Sequence, residues 1–222
     1  EMCIRDRTFL TLLATFALLF SFTFSCHAKG KDKAKHVVFI GLDGWGAYSL
    51  PKADMPNVKK LMEDGAYTLK KRSALPSSSA INWASMFMGA GPELHGYTEW
   101  GSKTPELPSR VLNKNGIFPT VFQLLRDARP EAEIGCLYEW EGIKYLVDTL
   151  SLSYHYHVAD CNKTPKELGN MASSYIKEKH PALVAICYDG PDHTGHTAGH
   201  DTPEYYEKLK DCLLYTSDAA DD

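Results

Sequence analysis

The sequence predicts an α/β domain with a mostly parallel central sheet and helices on both of its faces. Three observations carry that prediction. The runs His36–Leu42 (HVVFIGL) and Pro181–Tyr188 (PALVAICY) are continuously apolar rather than alternating, as in strands covered on both sides. Each ends in an acidic, glycine-bearing segment, Asp43-Gly44 and Asp189-Gly190-Pro191-Asp192. Between them strand-like and helix-like patterns alternate, which is the order of a sheet wound with crossover helices. In such sheets, sites gather beyond the carboxyl ends of strands, where both Asp43 and Asp192 fall.

The elements follow in order. The run from His36 is rich in β-branched residues and predicts a buried first strand. Asp54-Met55-Pro56 offers a cap and an N-terminal proline, Val58, Leu61 and Met62 share a face, and Gly65 supplies a stop, which together predict a helix over 55–64. Tyr67–Leu75 reads as a second strand, and Ile81–Met88 as a short apolar helix broken by Gly89-Ala90-Gly91-Pro92. Phe118–Ala128 repeats the helical period through Val121, Leu124 and Leu125, and Ile134–Tyr138 reads as a strand. Pro165–Lys179 predicts a helix with Leu168, Met171, Ala172 and Ile176 on one side, before the strand that ends at Tyr188. A last helical pattern runs from Pro203 to Asp211 and stops at Cys212 without a capping signal.

The ends read differently from the middle. Thr8–Ser25 is an apolar run without a charge, preceded by Arg5 and Arg7 and followed by a small-residue site at Ala28, the layout of a secretory signal. Cleavage after Ala28 would release a soluble product, whereas cleavage before Cys26 would leave a cysteine for a lipid anchor. The expected location is therefore exported: periplasmic, extracellular or lipid-anchored. Residues 1–7 and 212–222 read as adapter-like, non-native sequence. The expected organisation is adapter-like residues plus signal peptide over 1–28, one C-terminally truncated domain over 29–211, and a non-native tail over 212–222.

The formal net charge is −4 and approaches neutrality once both ends are set aside, so no nucleic-acid footprint follows. Cys136, Cys161 and Cys187 have no paired short spacing, and Cys187, inside an apolar run, reads as a buried core thiol.

Three segments carry chemistry. Taken alone, Asp43 would be a turn or capping residue, but Gly44 and Gly46 beside it let backbone or a ligand approach closely. Ser77-Ser78-Ser79 precedes a helix, so each hydroxyl is a candidate cap. The same helix N-terminus also suits a phosphate group, with Asn82 one turn further in as an amide donor. A serine there needs a base or a metal to become nucleophilic.

The densest cluster is Asp192-His193-Thr194-Gly195-His196-Thr197-Ala198-Gly199-His200, one carboxylate and three imidazoles in a loop loosened by Gly195. Asp192 and His196, spaced by four, can converge on a divalent cation at distances zinc accepts; sets drawn from His193, His196 and His200, or a metal-free surface loop, remain open. His155 and His157 alternate with tyrosines and read as a strand or binding surface.

The order GLDG, a serine followed three residues later by asparagine, then G-x-x-P-E-x-H-G over Gly89–Gly96, and later P-D-x-x-G-H over Pro191–His196 resembles the alkaline phosphatase superfamily. It is most similar to its type I phosphodiesterase/nucleotide pyrophosphatase branch, from about His36 to Asp211. The resemblance implies an alkaline phosphatase-like fold and a hydrolase of phosphate esters, phosphodiester or phosphomonoester, that binds a small-molecule phosphate ester.

It further implies two divalent metal ions, zinc by family, with Asp43 and Ser79 contacting one and Asp192 and His196 the other, Asn82 holding a phosphate oxygen, and a phosphoseryl intermediate on Ser79. His95-Gly96 would fix the loop after the helix. The family completes both metal sites with later residues that do not occur before this chain stops, which implies weak metal binding and a nearly inactive fragment.

Family phosphodiesterases carry threonine followed by Phe-Pro, whereas this chain has Ser79-Ala80-Ile81. Sulfatases share the architecture but place their nucleophile in a Cys/Ser-x-Pro-x-Arg context that is missing here. A non-catalytic zinc-binding module is the other alternative.

Overall fold

The computed structural model describes residues 34–159 and 165–217 of the 222-residue chain, with side chains to residue 213 in the last helix. The described residues from Lys35 onward form one compact unit. The strands β1 (Val37–Leu42), β2 (Ile134–Tyr138), β3 (Tyr154–His157) and β4 (Leu183–Tyr188) make one sheet in the order β1-β4-β2-β3, with every pair parallel. Val37 pairs with Leu183 and Leu42 with Tyr188, so β1 and β4 end level. The Asp43 N–H then donates to the Tyr188 carbonyl at 2.9 Å, which brings the two acidic strand ends side by side.

Alternation along each strand divides the core between the two faces. Leu183, Ala185 and Cys187 join Ile134, Cys136 and Tyr138 on one face, under α2 (Ser79–Met88) and α4 (Val121–Ala128). Val184, Ile186, Tyr188 and Leu137 occupy the other, under α5 (Pro165–Lys179) and Cys212 of α7 (Pro203–Ser217). The remaining α-helices among the described residues are α1 (Pro56–Asp64), the four-residue α3 (Pro92–His95) and α6 (Gly190–Ala198). A third cluster joins Met55 and Ala53 to Tyr205, Leu209 and Leu213 of α7.

Several expectations change. Strand β1 is an edge rather than a buried strand: among the described residues it pairs only with β4, and Val37 is 49% exposed. Residues 67–75 form no strand, because Lys70, Lys71 and Arg72 interrupt the apolar pattern and the segment lies exposed. Helix α1 keeps its proline start but leaves Leu61 exposed.

Helix α4 turns a different face inward: Leu124 is 59% exposed and Val121 is also exposed, whereas Phe122 is 1% exposed. The Thr120 hydroxyl caps the Gln123 N–H at 3.2 Å and fixes where the helix begins, and the Phe122 ring then packs 5.3 Å from that of Phe87.

The segment Gly190–Ala198, expected as a loop, is helix α6. Helix α7 continues past Asp211 to Ser217, because Leu209, Cys212 and Leu213 at i, i+3 and i+4 prolong one buried face. The Tyr-His alternation at 154–157 is the edge strand β3. Cys136, Cys187 and Cys212 are buried, and among the described residues no disulfide joins them.

The apolar run 8–25, Cys26, Ala28, Cys161 and the residues 1–7 and 218–222 lie outside the described residues. Among the described residues no helix is long and apolar enough to cross a membrane.

Candidate active site

At the end of β1 the chain turns sharply, with Gly44 at φ +67°. A Cβ on Gly44 would lie 2.7 Å from the Asp192 Cα, so glycine is what lets the loop seat against α6. Asp43 is held at both oxygens: Oδ1 accepts from the Gly44 N–H at 3.0 Å and Oδ2 from the Trp83 indole N–H at 3.0 Å. The Trp83 ring lies across Gly41, where a side chain would collide with it at 2.4 Å. On the far side the buried Tyr205 hydroxyl donates to the Gly44 carbonyl at 2.7 Å and accepts from the Gly46 N–H at 3.1 Å. The loop carrying Asp43 is thus fixed from α2 and from α7.

Ser79 is the first residue of α2, and the residue in the capping position is Ser78, whose side chain makes no cap hydrogen bond. Among the described residues the Ser79 hydroxyl has no hydrogen-bond partner, while Ser77 accepts from Ser73. Ser79, Asn82, Trp83 and Met86 recur at i, i+3, i+4 and i+7 and line one cavity.

The Asn82 carboxamide is already engaged. Its Oδ1 accepts from the Ala74 N–H at 2.7 Å, and its Nδ2 donates to the Ala74 carbonyl at 3.3 Å and the Ser78 carbonyl at 3.0 Å. In this arrangement Asn82 ties down the segment entering α2, and a phosphate oxygen would have to displace the longer of its two donated bonds. His95 is fully buried; its Nδ1 accepts from the Tyr97 N–H at 3.1 Å, which makes Nε2 the protonated nitrogen that donates to the Ser85 hydroxyl at 3.0 Å. It braces the turn after α2 and does not line the cavity.

Helix α6 places Asp192 and His196 one turn apart on one face, with Nε2 and Oδ2 3.4 Å apart. Burial raises the Asp192 carboxyl above the usual carboxylate range, and the charge of Asp43 across the cavity raises it further; His196, His200 and His193 oppose this. The other two histidines do not line the cavity. His200 folds over Gly195 and packs edge-on against Tyr205, ring centroids 5.2 Å apart. Among the described residues no group of three or more His, Cys, Asp or Glu side chains is arranged to hold a metal ion.

Asp43, Ser79, Asn82, Asp192 and His196 all line a single cavity of about 520 Å³. Their donors are two carboxylates, an imidazole and a hydroxyl, a set that zinc accepts. The repulsion between Asp43 and Asp192 is what a divalent cation would relieve, so the residues fit such an ion, with fewer ligands than a closed site needs.

Sequence reasoning missed Trp83, whose spacing of four from Ser79 placed it on the same helix face. It also missed Lys71, Trp45 and Trp100 in the cavity wall. Trp45 sits between Gly44 and Gly46 and could have been found there, whereas nothing local marks Lys71 and Trp100, which arrive from other loops.

Residues 37–212 match the model of the family described as type I phosphodiesterase / nucleotide pyrophosphatase. The chain belongs to this family. Among solved structures, this type I phosphodiesterase family chain is similar to murine ectonucleotide pyrophosphatase/phosphodiesterase 5, an inactive form in complex with AMP. The TM-score is 0.64 at 16% identity, over 84% of this chain and 51% of the murine one. The human counterpart gives 0.63 at 15% identity, over 83% and 51%.

Phosphonoacetate hydrolase from Sinorhizobium meliloti in complex with phosphonoformate gives 0.61 at 18% identity, over 83% and 53%. At these identities the likeness establishes the alkaline phosphatase-like fold alone. The chain spans about half the length of these structures. No curated protein matches it in sequence.

Proposed function

We propose that this family member contributes the nucleophile and part of the metal site for hydrolysis of phosphate esters, with phosphodiesters or nucleotide pyrophosphates as the substrate class. The observation that carries this reading is the Ser79 hydroxyl at the first turn of α2, unpartnered among the described residues and lining one cavity with Asp43, Asp192 and His196. Family membership and structural neighbours in complex with AMP and phosphonoformate support it.

In this reading the α2 N-terminus receives the phosphoryl oxygens, where the positive potential of the helix end favours an anion. The Ser79 oxygen attacks phosphorus in line, its proton passes to solvent, and the bond from phosphorus to the leaving oxygen breaks, leaving Ser79 esterified to a phosphoryl group that keeps the other substituent of the diester. Water then attacks the same phosphorus and releases Ser79. Asp43 and Ser79 would hold one divalent ion and Asp192 and His196 another. When bound, zinc ions lower the pKa of a hydroxyl and offset charge on phosphoryl and leaving oxygens.

Trp83 keeps the Asp43 carboxylate aimed into the cavity, and Asn82 keeps the approach to Ser79 rigid. An exported location, with residues 8–25 as the signal, accompanies this proposal.

The test is Ser79→Ala in a chain extended to the length of its solved relatives, assayed on a nitrophenyl phosphodiester with zinc. Turnover should fall on the order of 10⁴-fold or more while zinc binding persists, because a lone nucleophile is removed from a site that otherwise stands. Turnover within tenfold of the parent would leave Ser79 as a helix-end residue and the chain as a zinc-binding module.

A further inference from the structure

Helix α6 begins without a cap of its own: the side chain of Asp189, in the capping position, makes no cap hydrogen bond. The cap comes instead from Glu139, at the carboxyl end of β2 and 50 residues away in sequence from Asp189. A single oxygen, Oε2, accepts the Asp189 N–H at 2.7 Å and the Gly190 N–H at 3.0 Å. The residue is 4% exposed, in a place where carboxylates are rarely found without a structural reason.

Its backbone is fixed on both sides. The Glu139 N–H donates to the Cys187 carbonyl of β4 at 3.0 Å, and its carbonyl is bonded to the His157 Nε2 of β3 at 2.8 Å. An anion at a helix N-terminus is also favoured by the helix dipole.

Asp192 lies two residues beyond the second capped N–H and His196 one turn further on. The seat of α6 on the sheet therefore sets where both side chains stand relative to Asp43. On the other side α6 meets Gly44, so a lost cap would let the helix shift away from the β1 loop. We infer that Glu139 is a positioning residue for the metal-holding face of α6, acting through the backbone of Asp189 and Gly190 and touching neither metal nor substrate. The inference rests on the reading that Asp192 and His196 hold a divalent ion. It concerns reach more than charge, because one oxygen takes both N–H groups and a carboxamide oxygen can do the same.

The test is a zinc titration by calorimetry on the full chain, with far-ultraviolet circular dichroism to verify folding. Glu139→Ala and Glu139→Asp, which draws the oxygen back by one methylene, should weaken zinc binding by about 10- to 100-fold, the usual loss when the partner of a ligand-bearing element is removed. Glu139→Gln should keep most of the affinity. If the alanine variant does not fold, the aspartate and glutamine pair carries the comparison alone.

Wild-type affinity in Glu139→Asp, or equal weakening in the aspartate and glutamine variants, overturns the inference, provided His196→Ala has lost zinc. Unchanged zinc binding in His196→Ala removes instead the metal reading on which it stands.

Discussion

Replacing Gly44 by alanine perturbs the site without substituting a candidate ligand. Two costs follow from the geometry. Gly44 sits at φ +67°, where an added Cβ is strained by roughly 1–2 kcal/mol. That Cβ would also stand 2.7 Å from the Asp192 Cα and 3.0 Å from its Cβ, against about 3.5–4.0 Å for relaxed carbon contacts. Loop and helix must part by close to 1 Å, and overpacking of this kind costs about 1–3 kcal/mol. The sum is roughly 2–5 kcal/mol, a large share of the 5–15 kcal/mol typical of a folded domain.

Gly89→Ala provides the comparison, because Gly89 has φ +60° and open space around its Cβ position, so only the strain applies. Urea unfolding of the two variants separates the terms, and zinc titration reads the displacement of Asp192. If Gly44→Ala is no less stable than Gly89→Ala, and binds zinc as the parent does, α6 is not seated on Gly44 and the account of the site's assembly is wrong.

Tyr205→Phe should cost about 1–3 kcal/mol in urea unfolding, since the Gly44 carbonyl and Gly46 N–H lose a buried partner; a loss under about 0.5 kcal/mol would mean Trp83 alone holds the loop. Phe122→Ala should cost about 3–5 kcal/mol and Leu124→Ala under about 0.5 kcal/mol, and the reverse ranking would restore the helix face expected from periodicity. Burial holds the His95 imidazole below its ordinary pKa of 6.5, so the unfolded chain binds the proton more readily. The stability His95 contributes is thus full above that value and lost as pH falls through it toward the lower folded-state pKa. Urea midpoints between about pH 7.5 and 5.5 should fall less in His95→Gln than in the parent, and parallel curves would refute the assignment.

Much of the fold was legible because its central strands are covered on both faces. Ile134–Tyr138 and Leu183–Tyr188 are continuous apolar runs for that reason, and their boundaries could be read within two residues. The site was legible where a motif is local, as at Ser79–Asn82 and Asp192–His196. What escaped is non-local. The inward face of α4 depends on a Thr120 cap and a slot beside Phe87, which a periodic pattern cannot rank. The start of α6 is capped by Glu139, a carboxylate supplied from beyond the end of β2, which no local pattern reveals. Residues 67–75 contain strand-forming side chains, but among the described residues no neighbouring strand takes up their backbone bonds. The engagement of Asn82 with Ala74 was equally invisible, because it joins residues on either side of a turn.

The adjacency of β1 and β4 also has a consequence in time. His36 bonds to the Pro181 carbonyl 145 residues further along, and at ribosomal rates of about 5–20 residues per second β1 waits roughly 7–30 s for its partner. Throughout that interval VVFIGL is an unpaired apolar strand, open to chaperones and to the same strand of a neighbouring nascent chain. Synthesis speed over the intervening segment, as well as the final packing, then governs how much of this protein reaches its folded state.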